Sequence, residues 1–331
     1  MSQTKNKRSL YIKRTSFKPF EFSEIEEYKK AINHSFWLFS EWNFAADVQD
    51  FHTKLTPLHK NCFKRAVLAI SQIEVSVKSF WGDLGKRFPK PEISQVGMTF
   101  AESEVRHADA YSHILEVLGL NNEFELLLEE PVIQGRVDYL TKYLKGASDS
   151  SDENYALTLT LFSLFIENVS LFSQFAIIKS FNKHLNVLKD IDNVVQATQQ
   201  EEQLHGQLGA LLINLIREER PEWFGDKFCE KVARACKKAF ISECAIIDWI
   251  FQEGELEFLS SESLKEFIKS RFNQSVEMIG CSAIFEIDKD KLAPLKWFRE
   301  ELLTEVNIDF FHKKSTDYSK NTQPITEDDL F

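Results

Sequence analysis

The sequence predicts an all-α fold, a bundle of long helices around one large core, and three observations predict it. Only 11 Gly and 8 Pro occur in 331 residues, few breakers for a chain of this length. Apolar residues, 29 Phe among them, recur at helical spacing over long stretches. Two glutamates on apolar helical segments, Glu74 and Glu167, are each followed, about one helix and a turn later, by Glu-x-x-His: Glu104 and His107, then Glu202 and His205. No Gly/Ser/Pro-rich linker divides the middle, so one helical domain is expected rather than two.

The elements follow in order. Residues 1–20 read as a flexible arm and 23–36 as a first helix, leading into the aromatic run Phe36-Trp37-Leu38-Phe39 and Trp42. Thr56-Pro57 starts a helix, with Pro at its first position, that carries Glu74 and is expected to reach about Gly85. Phe88-Pro89-Lys90-Pro91 is a rigid turn into a helix that carries Glu104, His107 and Tyr111 and stops near Gly119. Asn121-Asn122 opens another helix, to about Gly146, and residues 147–152 form a polar loop. Two long helices come next, one with Glu167 and one with Glu202 and His205. Pro221, Gly254 and Gly280 punctuate a C-terminal helical section. The helical domain is expected over 21–312. The polar tail, 313–331, has too little apolar content to fold alone and is expected to be disordered.

Composition excludes several classes. A net charge of −11 argues against nucleic-acid binding, which needs a basic face. The five cysteines (Cys62, Cys229, Cys236, Cys244, Cys281) show no C-x-x-C, so neither a disulfide framework nor a thiolate metal site is expected, and the reading is a reducing cytoplasm. The polar, basic N-terminus lacks the apolar core of a signal peptide. The most apolar stretch, 156–181, is broken by Glu167, Asn168, Gln174 and several Ser and Thr. It suits the buried heart of a bundle, and no membrane association is expected.

Chance placement gives roughly one Glu-x-x-His in such a chain, so the information lies in the repetition. The bland alternative is two surface Glu-His contacts. Spacing i, i+3 puts each Glu and His on one helix face. Two lone Glu and two Glu-x-x-His pairs on four helices are the ligand set of dinuclear carboxylate sites in ferritin-like bundles. Four carboxylates balance two divalent ions, whereas without metal they repel one another and take up protons. Two imidazoles favour iron or manganese over calcium or magnesium, and the absence of a thiolate disfavours zinc. Tyr111 lies one turn beyond His107 on the same face; alone, it reads as a core tyrosine.

The segment Phe100-Ala101-Glu102-Ser103-Glu104-Val105-Arg106-His107-Ala108-Asp109-Ala110-Tyr111-Ser112-His113 resembles the second ligand helix of the class I ribonucleotide reductase small subunit. Gln200-Glu201-Glu202-Gln203-Leu204-His205-Gly206 resembles its fourth, and residues 309–318 its final helix and the start of its mobile tail. The resemblance implies that Glu74, Glu104 and His107 bind one metal and Glu167, Glu202 and His205 the other. It places Tyr111 at the radical tyrosine, Trp37 at the start of the radical route, and Glu201 where an aspartate hydrogen-bonds on that route. Tyr318 matches the tail tyrosine that passes the oxidising equivalent to the large subunit. A homodimer that docks the large subunit through its C-terminal tail is implied as well.

Two departures bear on the metal. Glu74 stands where most tyrosyl-radical members have aspartate, and Leu171 where a phenylalanine is common. A subset with this Glu and a retained tyrosine stores its oxidant on a dimanganese cluster, so two manganese ions per chain are expected, with Fe/Fe or Mn/Fe as alternatives. No N-terminal extension for a nucleotide-sensing domain is expected. Competing readings are a stand-alone ferritin-like dimetal oxidase, which needs no tyrosine-bearing tail, and a non-catalytic metal store, which leaves Trp37, Glu201 and Tyr318 unexplained.

Overall fold

The computed structural model describes residues 8–307 except 76, 128, 139–140 and 142–150. Among the described residues there is no β-strand, only an isolated bridge between Leu256 and Leu259. The expected all-α, ferritin-like bundle is observed. Its centre is four long helices: Pro57–Glu74, Pro91–Val117, Asp152–Leu185 and Lys189–Glu219. Helices Asp226–Ile250 and Ser261–Met278 pack on one another and on this centre.

Local chemistry sets the boundaries. The Thr56 side chain accepts from the His59 amide at 3.2 Å, and Pro57 opens the first ligand helix. That helix ends at Glu74, short of the expected Gly85, and two short helices, Lys78–Gly82 and Leu84–Arg87, follow. Pro91 opens the second ligand helix. Gly119, at φ +73°, closes it with amide bonds from Gly119 to the Glu116 carbonyl (3.0 Å) and from Leu120 to the Leu115 carbonyl (2.8 Å). The helix expected over 121–146 is instead Asn121–Leu127 followed by a helical stretch at 131–138. The first helix is Ile25–His34, a turn shorter than expected.

The third ligand helix departs most from a regular pattern. Its middle, Phe162–Ser170, is wound as π-helix, and the Ser170 hydroxyl donates to the Phe165 carbonyl at 2.9 Å. The whole of Asp152–Leu185 is long and apolar enough to cross a membrane, but its apolar window is fully buried as the core helix. The fourth ligand helix lies hard against it. A Cβ at Gly209 would overlap the Ser163 side chain, and one at Gly206 would press on Asn168 at 3.0 Å. At the start of that fourth helix, Asp50 and Asp47 accept the Leu188 and Ile191 amides at 3.2 and 2.6 Å.

Two expectations need correction. Within the N-terminal arm, residues 8–20 are tied to the body. Leu10 is buried, and the Leu10 amide and Ser9 hydroxyl donate to Glu219. Arg14 pairs with Glu92, which is buried at the start of the second ligand helix and needs a cation. A disulfide, not expected, joins Cys229 to Cys281, with Cα atoms 5.6 Å apart. Helix packing brings together two cysteines whose sequence spacing gives no hint of pairing; Cys62, Cys236 and Cys244 are free. Tyr318, with the rest of the tail and residues 1–7, lies outside the described residues.

One buried ion pair away from the bundle centre joins four segments. Arg136 bonds Glu243 at 2.7 Å, the Ala69 carbonyl at 3.0 Å and the Ser170 carbonyl at 3.2 Å. Removing one member of such a pair strands the other charge. Arg136→Ala should therefore destabilise the chain by about 3–5 kcal/mol in denaturant unfolding. A loss below about 1 kcal/mol, the scale of an exposed pair, would show that the segments do not depend on it.

Candidate metal centre

Glu74, Glu104, His107, Glu167, Glu202 and His205 meet in the middle of the four long helices, and all six are buried. Spacing i, i+3 turns Glu104 and His107, and likewise Glu202 and His205, inward on one face. The His107 Nδ1 lies 3.0 Å from Glu202, 3.5 Å from Glu104 and 3.9 Å from Glu74. The His205 Nδ1 lies 3.1 Å from Glu104 and 3.4 Å from both Glu167 and Glu202.

Two donor groups result: Glu74, His107 and Glu202 in one, and Glu104, Glu167, Glu202 and His205 in the other. Within each group the ligand atoms lie within 4.8 Å of one another. This differs from the expected division into two triads. Glu202 belongs to both groups, and Glu104 turns one oxygen to each imidazole, because the second and fourth helices face each other and their motifs interleave.

Both oxygens of Glu74, Glu104 and Glu202, one of Glu167, and the Nδ1 of both histidines are buried without a hydrogen-bond partner. Orphaned buried polar atoms are costly and rare. Here they converge, and hard oxygen donors with two imidazole nitrogens are what a pair of divalent transition-metal ions takes. The residues fit a dinuclear metal site.

A second tier of contacts fixes the donors. The His107 Nε2 lies 2.8 Å from Glu201, and the His205 Nε2 lies 3.1 Å from the Ser103 hydroxyl, which leaves each Nδ1 facing inward. The indole N–H of buried Trp81 donates to Glu167 at 3.1 Å. Arg106 grips Glu201 through both terminal nitrogens, at 3.2 and 3.0 Å. The sequence reading missed Ser103, Trp81 and Arg106 as site residues. Trp81 comes from the short helix after Glu74, where no periodicity points to the site. The one available signal was that Ser103 and Arg106 immediately precede Glu104 and His107.

The electrostatics follow from burial. Burial, less the attraction of His107 and aided by repulsion from Glu104 and Glu167, pushes Glu74 up to about 8. Burial and the charges of Glu104 and Glu167 hold Glu202 well above the usual carboxylate range. For His205, burial opposes the charged form, but Glu104 and Glu167 outweigh it and raise it to about 10. His107 is likewise raised by its carboxylates against burial. Burial would raise Glu104 too, but the two imidazoles bring it down to about 2.

Around this centre, Tyr111 is buried one turn beyond His107, with Thr198 beside its hydroxyl. Burial first and the Glu74 charge second hold the phenol well above its usual value, with Thr198 opposing. Trp37 is buried with its ring stacked on that of His107, centroids 5.9 Å apart and planes at 16°. Glu201, expected on the same route, is bonded to His107 and Arg106, while the Trp37 indole N–H is unpartnered.

Residues 14–292 match the family model of the ribonucleotide reductase small chain. The probable ribonucleoside-diphosphate reductase small subunit 048L of Invertebrate iridescent virus 3 is 26% identical over 326 residues, covering 94% of this chain and 86% of the relative. Among solved structures, the ribonucleotide reductase R2 subunit from Clostridium botulinum superposes with a TM-score of 0.77 at 15% identity, over 87% of this chain and 91% of the other. The dimanganese(II)-NrdF of Streptococcus sanguinis does so at 0.74 and 16%, over 89% and 100%. At these identities the two structures establish the shared fold.

Protons on Glu74, Glu202, His107 and His205 in the metal-free chain must leave when cations bind. Manganese(II) binding at neutral pH should therefore release protons, and its affinity should rise as pH goes from about 6 to about 8. Calorimetry in buffers of different ionisation enthalpy measures both. Zero proton release, with affinity flat in pH, would remove these four groups from the binding site.

Proposed function

This chain belongs to the ribonucleotide reductase small-chain family, and we propose how its buried centre serves that reaction. It is the small subunit of class I ribonucleoside-diphosphate reductase, an oxidoreductase that works with a large subunit. The observation that carries the reading is the convergence of orphaned carboxylate and imidazole donors from six residues in the core of the bundle. Glu74 and His107 would hold one metal and Glu167 and His205 the other, and Glu104 and Glu202, which each face both imidazoles, would complete the donor set. The metal pair, when bound, supplies the stored oxidising equivalent on which the large subunit draws. The chain's own residues do the rest. Glu201 and Ser103 orient the imidazoles, Trp81 holds Glu167, and Phe100, its ring 4.3 Å from that of His205, keeps water out.

Our reading of the metal is dimanganese rather than Fe/Fe or Mn/Fe. Glu74 in the first ligand position together with a retained tyrosine supports it. We further propose that Trp37, Glu201 and Tyr318 carry the oxidising equivalent outward. The tail 313–331 docks the large subunit in this reading, ordering as it binds and so binding with modest affinity. The chain forms a homodimer in this reading.

Metal analysis with electron paramagnetic resonance, on protein made with manganese or iron, tests the metal. A multiline manganese signal without a tyrosyl doublet is expected, and Tyr111→Phe should keep most of its activity with the large subunit. An inactive Tyr111→Phe variant, with a tyrosyl doublet and high activity in the iron-loaded chain, would establish di-iron chemistry instead. Tyr318→Phe should bind the large subunit and form the oxidised cluster normally yet lose nucleotide reduction. Full turnover in that variant would leave the tail a binding role alone.

A further inference from the structure

Arg106 touches both Trp37 and Glu201. Only 4% of its side chain is exposed, and its guanidinium lies 5.5 Å from the centre of the Trp37 ring and 4.8 Å from that of Phe36. Its Nη1 and Nη2 take both oxygens of Glu201, Nη1 also reaches the Trp37 carbonyl at 3.5 Å, and Nε bonds Glu102 at 3.0 and 3.2 Å. Glu201 accepts from Arg106 and His107 and not from the Trp37 indole, whose buried N–H is orphaned. Oxidation of an indole is easier when its N–H proton has an acceptor and harder when a cation faces the ring. Both conditions here oppose it.

We propose that Arg106 is a positioning residue that keeps Trp37 from being oxidised while the chain is alone, and so preserves the stored oxidant. The inference rests on the reading of the centre as an oxidant store. The step it suppresses is a single-electron transfer. Trp37 gives one electron to the oxidised metal pair, which is reduced by one, and the indole remains as a radical cation because nothing accepts its proton. Arg106 raises the cost of that cation through its own charge. It also ties up the anion of Glu201, which would otherwise stabilise it. Exposed Glu102 tempers the guanidinium without neutralising it, since half of that side chain faces water.

The test follows the lifetime of the oxidised cluster by absorbance and electron paramagnetic resonance, in full-length chain without the large subunit. Arg106→Gln should load metal in the usual stoichiometry and lose its oxidised state at least threefold faster. Trp37→Phe in the same chain should restore the lifetime, and Arg106→Lys, which keeps the charge, should decay more slowly than Arg106→Gln. A change in packing alone would not be reversed by removing Trp37. Trp37→Phe in the otherwise wild-type chain should leave the lifetime unchanged; if it lengthens the lifetime, Trp37 already leaks and the proposal is overturned. That variant does not depend on Arg106→Gln folding. Equal lifetimes in Arg106→Gln and wild type would overturn the role of Arg106 alone. A wild-type chain that forms no oxidised cluster would overturn the oxidant-store reading, and the proposal with it.

Discussion

Four carboxylates held within a few ångströms of one another, in a core that excludes water, set the terms for the rest of this molecule. Two such charges about 4 Å apart repel by roughly 4 kcal/mol even at an effective dielectric of about 20. The chain cannot bury them unanswered. Without metal, protons on Glu74 and Glu202 and the two imidazolium groups stand in for the missing cations, leaving Glu104 ionised between the rings. The core therefore carries a cation-shaped need that the helices are stiff enough to maintain, and the long apolar faces of Pro57–Glu74 and Asp152–Leu185 supply that stiffness.

The two halves of the centre answer this constraint differently. Behind His107 stands a charged chain, Glu201 then Arg106, with Trp37 against the ring. Behind His205 stand neutral groups, the Ser103 hydroxyl and the faces of Phe100 and Trp81. A carboxylate behind an imidazole makes it a stronger donor than a hydroxyl does. The two sites are thus chemically unequal although their ligand motifs look like repeats. The charged side is also the one that leads to the aromatic segment near the surface, where Phe36 is partly exposed.

How much of this was legible in the sequence depends on the range of the interaction. Contacts set by helical period were readable: Glu104 with His107, Glu202 with His205, the Thr56-Pro57 start and the Gly119 stop. The six buried carboxylate and imidazole residues were singled out by spacing and Trp37 by the resemblance, whereas the stacking of Trp37 on His107 was not foreseen. Contacts made by tertiary packing were not readable. Trp81 reaches Glu167 from a different helix, and Cys229 on Asp226–Ile250 meets Cys281 just past the end of Ser261–Met278. That Glu104 and Glu202 each face both imidazoles depends on how two helices face each other. Residues 8–20 look like a polar arm because their partners, Glu92 and Glu219, lie far along the chain. The break after Glu74 carries no Gly or Pro to announce it.

The π-helical stretch Phe162–Ser170 has a consequence for how the third ligand helix is used. Accommodating an extra residue in a turn rotates everything beyond it by about 100° relative to a regular helix. The two halves therefore present different faces. Asp152–Leu161 packs on Asp226–Ile250 and Lys189–Glu219, whereas Phe172–Leu185 packs on Pro57–Glu74 and Lys189–Glu219. Glu167 sits inside the phase change, so its direction belongs to neither half. In an alignment, a relative lacking the extra residue would match one half in register and run a step out on the other, and a single-residue deletion here would swing one half's apolar face away from its partners with every hydrophobic residue still present.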